Sequence, residues 1–174
     1  MPTTQTHVVP IGPCRLFFDG VDLGYTIDGV ILTFQRETEE KYVDTSDAPV
    51  DIITTKRTFS VTANLAEYSL ELLHSMIGAS QFVKTIDEDG NTLLSHLAIS
   101  GNLEGSNVSR AKELHLVPVG MDDNHMVTVR HAIPMCNMEW TYSKDAVRYC
   151  SVVFIAVDGE NGFVAFGDTD LAFA

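Results

Sequence analysis

Two stretches of the chain alternate between apolar and polar residues with the two-residue period of a β-strand. In VILTFQRETEEKYV, which starts at Val30, one face carries Val30, Leu32 and Phe34, and the other carries Thr33, Gln35, Glu37 and Glu39. In Thr58–Asn64 the apolar residues Phe59, Val61 and Ala63 alternate with Thr58, Ser60, Thr62 and Asn64. The two segments read as the strands of one long hairpin with a polar outer face. Between them Val43–Lys56, VDTSDAPVDIITTK, breaks the pattern with Asp, Ser and Pro. It predicts an extended loop over 43–56, and loops of that length inside compact domains are usually functional or disordered.

A single helix is predicted over 65–77. Asn64 and Glu67 have the spacing of a capping box, in which a side-chain oxygen and a carboxylate satisfy orphan amide donors. Leu65, Tyr68, Leu72, Leu73, Met76 and Ile77 then recur at helical spacing, and Gly78 supplies a stop. The rest is β. Cys14–Phe18 is a short strand, and Asp19-Gly20 and Asp28-Gly29 are hairpin signals, since both residue types tolerate positive φ. Further strand pairs flank Asp87–Asn91, Gly120–Asn124 and Ser143–Asp145, and the tail GFVAFGDTDLAFA adds a short last strand. Residues 1–11, polar and without periodicity, predict a flexible N-terminal arm. The expected fold is mainly β, a single antiparallel β-sandwich or barrel-like domain spanning 1–174 with one packed α-helix.

Charge narrows the function. The net charge is −13, from 24 acids against 11 bases, and after Arg148 no base follows. Proteins that grip nucleic acid carry the opposite sign, because affinity comes from Lys and Arg displacing counterions from phosphate. Conventional DNA binding is therefore not expected. No apolar run reaches the ~18–20 residues of a membrane span, so no membrane anchor is expected. The opening MPTTQTHVVPIGP lacks the basic and apolar regions of a secretory leader. Cys14, Cys136 and Cys150 are too few for a disulfide framework and read as free thiols of a reducing compartment.

Catalytic and metal-binding signatures are not expected from the residue spacing either. His7, His74, His96, His115, His125 and His131 show no zinc-like spacing with another ligand. Asp87-x-Asp89-Gly90-Asn91 begins like a calcium loop. Aligning Gly90 with that loop's glycine puts Thr85 at its first position and His96 at its glutamate position, so the site fails. Nucleophile-elbow and phosphate-loop motifs are absent. The acidic runs Glu37–Glu40, Asp87–Asp89 and Asp122–Asp123 read as solvated turns or strand faces. No enzymatic activity and no cofactor are expected.

The stretch GPCRLFFDGVDLGYTIDGV at 12–30 resembles the opening of bacteriophage tail tube proteins. The matching residues are Phe18, Asp19, Gly20, Val21, Asp22, Leu23, Gly24, Thr26, Gly29 and Val30, with Asp28 standing where many relatives have glycine. The resemblance runs from Gly12 through Leu65–Leu73 and thins afterwards. It implies a structural virion protein that self-assembles into stacked hexameric rings, the tail tube through which the genome passes. It also implies that Thr33, Gln35, Glu37, Glu39, Thr58, Ser60, Thr62 and Asn64 line the lumen. The loop packs on neighbouring subunits in that family, which assigns Asp44, Asp47, Pro49, Asp51, Ile52 and Ile53 to an inter-subunit contact. A glycine common late in the relatives' loop is missing at Thr54-Thr55-Lys56.

The implied partners are further copies of the chain, the tail tip or baseplate, tape measure and tail terminator proteins, and a sheath if the tail is contractile. DNA passes through without specific binding. The implied location is the virion tail, after assembly in the host bacterial cytoplasm. Two other functions fit the same strands. One is the tube subunit of a bacterial secretion or injection machine. The other is a monomeric β-sandwich binding or decoration module, for which Trp140 and Tyr142 are the candidate aromatics. An antiparallel sheet with one wet face is ordinary in a monomer, so the polar face alone decides nothing.

Overall fold

A computed structural model describes residues 13–44, 46–66, 69–101, 106–120, 125–138, 140, 148–159, 162 and 164–167. The fold is mainly β, with antiparallel strands and one helix. The strands are β1 (Cys14–Phe18), β2 (Val21–Asp22), β3 (Thr26–Val43), β4 (Ser46–Leu65), β5 (Ser80–Ile86), β6 (Thr92–Ile99), β7 (Lys112–Pro118), β8 (Val127–Asn137), β9 (Cys150–Ala156) and β10 (Val164–Phe166). Helix α1 (Leu70–Met76) follows β4, and one 3-10 turn (Val108–Arg110) precedes β7.

Eight strands form one sheet in the order β2-β1-β7-β8-β9-β4-β3, with β10 also paired to β8. Strand β8 is the fold line. Its start, Val127–Val129, pairs with β10, and its later part, Ala132–Asn137, pairs with β9. The sheet stays open at β2 and β3 but folds over, and aromatic contacts join strands of its two halves. The rings of Phe18 on β1 and Phe154 on β9 lie 5.3 Å apart, and those of Phe59 on β4 and Phe166 on β10 lie 6.3 Å apart. Between the layers Leu16, Leu23, Val61, Leu65, Leu114, Val129, Val152 and Phe154 are buried, and Leu73 and Met76 of α1 join them. Burial of large aliphatic and aromatic side chains contributes roughly 1.5–3 kcal/mol each, which makes this interior the source of the fold's stability.

Four expectations need correction. First, no loop spans 43–56. Apart from Val43 at the end of β3, Asp44 in the turn and Thr45, which lies outside the described residues, the segment belongs to β4, which pairs with β3 from Lys41↔Asp51 back to Thr26↔Leu65. Val50, Ile52, Ile53, Thr54 and Thr55 are β-branched and favour extended backbone. They show no alternation because both faces of this part of the hairpin are open to solvent. Second, the helix begins at Leu70. Asn64 and Leu65 remain in β4, paired with Ser151 and Cys150 of β9, so the ladder takes their backbone before a cap can. The cap is Ser69, whose side chain accepts from the Leu72 amide at 3.1 Å. Glu67 and Tyr68 lie outside the described residues. Third, the left-handed residue after the helix is Ala79 (φ 44), and the helix ends at Met76 before reaching Gly78.

Fourth, Asp28-Gly29 does not reverse the chain. Both residues have positive φ (62 and 78), yet they form a bulge inside β3, between Ile27↔Asn64 and Val30↔Ala63. Asp19-Gly20 (φ 51 and 77) does make the expected two-residue turn, joining β1 to β2. The pairs around Asp87–Asn91 and between β7 and β8 stand where the pattern placed them, as does the short last strand. The N-terminal arm, Tyr142 and the Ser143–Asp145 turn lie outside the described residues.

Candidate assembly surface

The β3–β4 hairpin has two parts. Near the body β4 is flanked by β3 and, over Ser60–Leu65, by β9. Beyond Ser60 only β3 and β4 pair with each other, and they continue outward as a two-stranded ribbon that ends at Val43↔Ser46. Among the described residues nothing pairs with the outer side of β3, so it is a sheet edge 18 residues long. Long unpaired edges are sticky, because each leaves a row of free backbone donors and acceptors.

Register brings most of the predicted polar residues together. Thr33 lies opposite Ser60, Gln35 opposite Thr58 and Glu37 opposite Lys56, while Ile31 lies opposite Thr62 and Ile27 opposite Asn64. Directly opposed residues share a face, so these side chains form one continuous strip on the outside of the sheet. Strand β9 extends it through Ile155 beside Ser60, Val153 beside Thr62 and Ser151 beside Asn64. The strip is therefore mixed, with Ile31 and Ile155 exposed among hydroxyls and amides.

Glu37 and Glu39 both carry partners. Lys56 Nζ reaches Glu37 at 3.3 Å and Lys41 Nζ reaches Glu39 at 2.5 Å. These exposed pairs add little stability, since solvent screens them. They do neutralise the carboxylates locally, so this strip is less acidic than the sequence suggests. At the far end Asp44 is in the turn. Pro49 lies in β4 where the register jumps from Lys41↔Asp51 to Val43↔Ser46, a place that spares it a ladder hydrogen bond. Asp51 accepts from the Ile52 amide at 2.8 Å, Ile52 and Ile53 are exposed, and the Asp47 side chain lies outside the described residues.

Sequence reading missed the opposite face of the ribbon. There Phe34 lies opposite Phe59, Arg36 opposite Arg57, Thr38 opposite Thr54 and Glu40 opposite Ile52, with Tyr42 hydrogen-bonded to Glu40. That bond raises the Tyr42 hydroxyl above the usual phenol range. Phe34, Tyr42, Val50 and Ile52 are all exposed. Two arginines at directly opposed positions repel, and that was readable once the hairpin register was known. Of the two candidate aromatics, Trp140 is half-buried against the core and donates to the Tyr149 carbonyl at 3.2 Å.

Elsewhere His74 and His115 make polar contacts within the described residues. His115 Nδ1 contacts Thr128 Oγ1 at 3.0 Å and its Nε2 lies 3.4 Å from Glu113, an order that resembles a nucleophile, base and acid. Thr128 is fully buried, however, so no substrate reaches its hydroxyl. His74 Nδ1 meets Ser80 Oγ at 2.8 Å, and that hydroxyl donates to the Ile77 carbonyl, which closes the turn after α1. Cys14, Cys136 and Cys150 are free. The hydrogen bond to Cys136, together with burial, pushes the Cys150 thiol well above its ordinary range, and burial raises Cys14. Among the described residues no group of three His, Cys, Asp or Glu side chains is placed to hold a metal, and no helix is long and apolar enough to cross a membrane. Compared with protein-family models the chain matches none, and no curated protein matches it in sequence.

Proposed function

We propose that this chain is a structural subunit that closes through its sheet edges into hexameric rings, and that stacked rings form the tail tube of a bacteriophage virion. The observation that supports this reading best is the outer strip of β3, β4 and β9 beside the unpaired edge of β3. Pairing that edge with a neighbour around a ring removes the free donors and acceptors and carries the strip around a closed barrel. Its Thr, Ser, Gln and Asn side chains then face a water-filled channel. They suit the passage of a polyanion, because hydroxyls and amides offer weak, water-replaceable contacts, while a lysine or arginine lining would hold phosphate by counterion release.

In this reading the partners are copies of the chain and the other tail components, and DNA passes without specific binding. The ribbon is the inter-subunit element in place of a loop. The test is assembly of the purified chain, followed by negative-stain microscopy and light scattering across concentration and salt. Rings or tubes with a central hole are expected, helped by a tail tip complex. Monomers alone under every condition, with that complex present, would count against the proposal. A second arm reads the lumen. The E37K/E39K variant, which breaks both ion pairs and makes the strip basic, is expected to form tubes that eject DNA slowly at low salt. Ejection at the normal rate places the strip elsewhere.

A further inference from the structure

The neglected face of the ribbon has a self-complementary order. Along β3 it reads Phe34, Arg36, Thr38, Glu40, Tyr42, an aromatic, a base, a small polar residue, an acid and an aromatic. On β4 the opposed residues are Phe59, which the body already buries, and then Arg57, Thr54 and Ile52. Turning a second ribbon end for end over the first, about the Thr38–Thr54 pair, sets each Arg36 against the other copy's Glu40 and each Phe34 against the other copy's Tyr42. Same-face neighbours are ~6.6 Å apart along a strand, so the two charges sit about 13 Å apart and match after the rotation.

Within one copy, among the described residues, Glu40 accepts only from Tyr42, and the arginines of this face pair with no acid. On the outer strip Glu37 and Glu39 pair with Lys56 and Lys41. On the neglected face Arg36 and Arg57 face each other, and among the described residues neither guanidinium forms an ion pair or hydrogen bond. We infer that this face of the ribbon is a self-recognition surface on which a second copy of the chain lies antiparallel, related by a two-fold axis through the Thr38–Thr54 pair. The contact is isologous and stands apart from the head-to-tail contacts that close a ring, so it does not rest on the tube proposal. A strip about 27 Å long on β3 and shorter on β4, where the body already covers Phe59, buries less than roughly 600 Å² in total, below the ~1,200 Å² of stable complexes, so the dimer is weak and reversible.

The experiment uses the full chain below the concentration at which larger assemblies form. Sedimentation velocity is expected to show a monomer–dimer equilibrium. R36E or E40R alone sets like charges against each other and is expected to weaken it by at least about tenfold. The double variant R36E/E40R restores the pairing with itself and does not pair with the wild type. Thr38→Cys lies next to its own symmetry mate. Oxidised glutathione is expected to convert its two thiols to one intermolecular disulfide, releasing two glutathione thiols, while the wild type with its three native cysteines stays uncrosslinked. Thr54→Cys serves as the second probe if Thr38→Cys fails to fold, and Glu39→Cys on the other face as the control. Crosslinking of Thr38→Cys no faster than Glu39→Cys overturns the inference. So does a dimer indifferent to R36E and E40R.

Discussion

Phe34 and Phe59 are directly opposed on one hairpin, yet Phe59 is 1% exposed and Phe34 is 56% exposed. The difference lies in their neighbours. Phe59 is on β4, near the start of its pairing with β9, it belongs to the buried core cluster, and its ring meets that of Phe166 on β10 edge to face. Phe34 is on the edge strand, past the last residue that covers it. The same alternation therefore yields a core in the body and two wet faces in the ribbon. A strand pattern says which side chains share a face, whereas burial requires a second layer over that face.

Substitution at the two phenylalanines is the strongest way to break this comparison. Phe59→Ala leaves a cavity between layers and is expected to cost about 3–5 kcal/mol, read by chemical denaturation. Phe34→Ala is expected to stay within ~0.5 kcal/mol, the ordinary range for an exposed site. Equal losses at both would mean that the ribbon is covered in the monomer. Next in size is the cap of α1. Ser69→Ala leaves the Leu72 amide without its acceptor and is expected to cost about 1 kcal/mol. The corresponding change Asn64→Ala tests the displaced start of the helix, and melting of α1 in that variant alone would restore the longer helix.

Excising the ribbon sharpens the contrast further. Removing Thr38–Thr55 and joining Glu37 to Lys56 through Asn-Gly discards only pairing between the two ribbon strands. Stability is expected to change by less than ~1 kcal/mol, because a lone two-stranded hairpin is marginal in water. Assembly is expected to be lost, which light scattering reads. A variant that still polymerises shows that the ribbon is not the contact.

The smallest effect concerns the second hairpin, β5–β6, which forms a sheet of its own beside α1. Asp87 accepts from the Asn91 amide at 2.7 Å and the Asp89 amide at 3.1 Å, and Asn91 Nδ2 donates to its second oxygen. The Asn91 amide is the main reason its carboxyl titrates below the usual aspartate range. A depressed folded value gives stabilisation that is present above the unfolded value of ~3.9 and lost as pH falls through the folded one. Protection of the Asn91 amide, its exchange rate relative to an unstructured peptide at the same pH, is therefore expected to fall only in acid, and Asp87→Ala is expected to lack that protection at every pH while the body keeps its own. Protection in the wild type that does not change with acid would leave the turn held by its backbone alone.

Much of the body was legible because burial leaves a mark on the chain. Phe59, Val61 and Ala63 alternate with hydroxyls where β4 covers the core, and Asp19-Gly20 carries the positive φ of its turn. The capping box at Asn64 and Glu67 misled because local chemistry lost to long-range pairing with β9. The ribbon misled for the opposite reason, since Val50–Thr55 bury no face and so show no period.

Residue order by itself determined the strand-rich class, the polar and apolar sides of the hairpin, and the acidic surface that disfavours phosphate. Each follows from side-chain type at a fixed two-residue period or from summed charge. Only the tertiary structure decided that β8 folds the sheet over, that β3 is a bare edge and that Lys41 and Lys56 answer Glu39 and Glu37. It also decided that Arg36 confronts Arg57. These are matters of register between segments distant in sequence, where a shift of one residue moves every side chain to the other face.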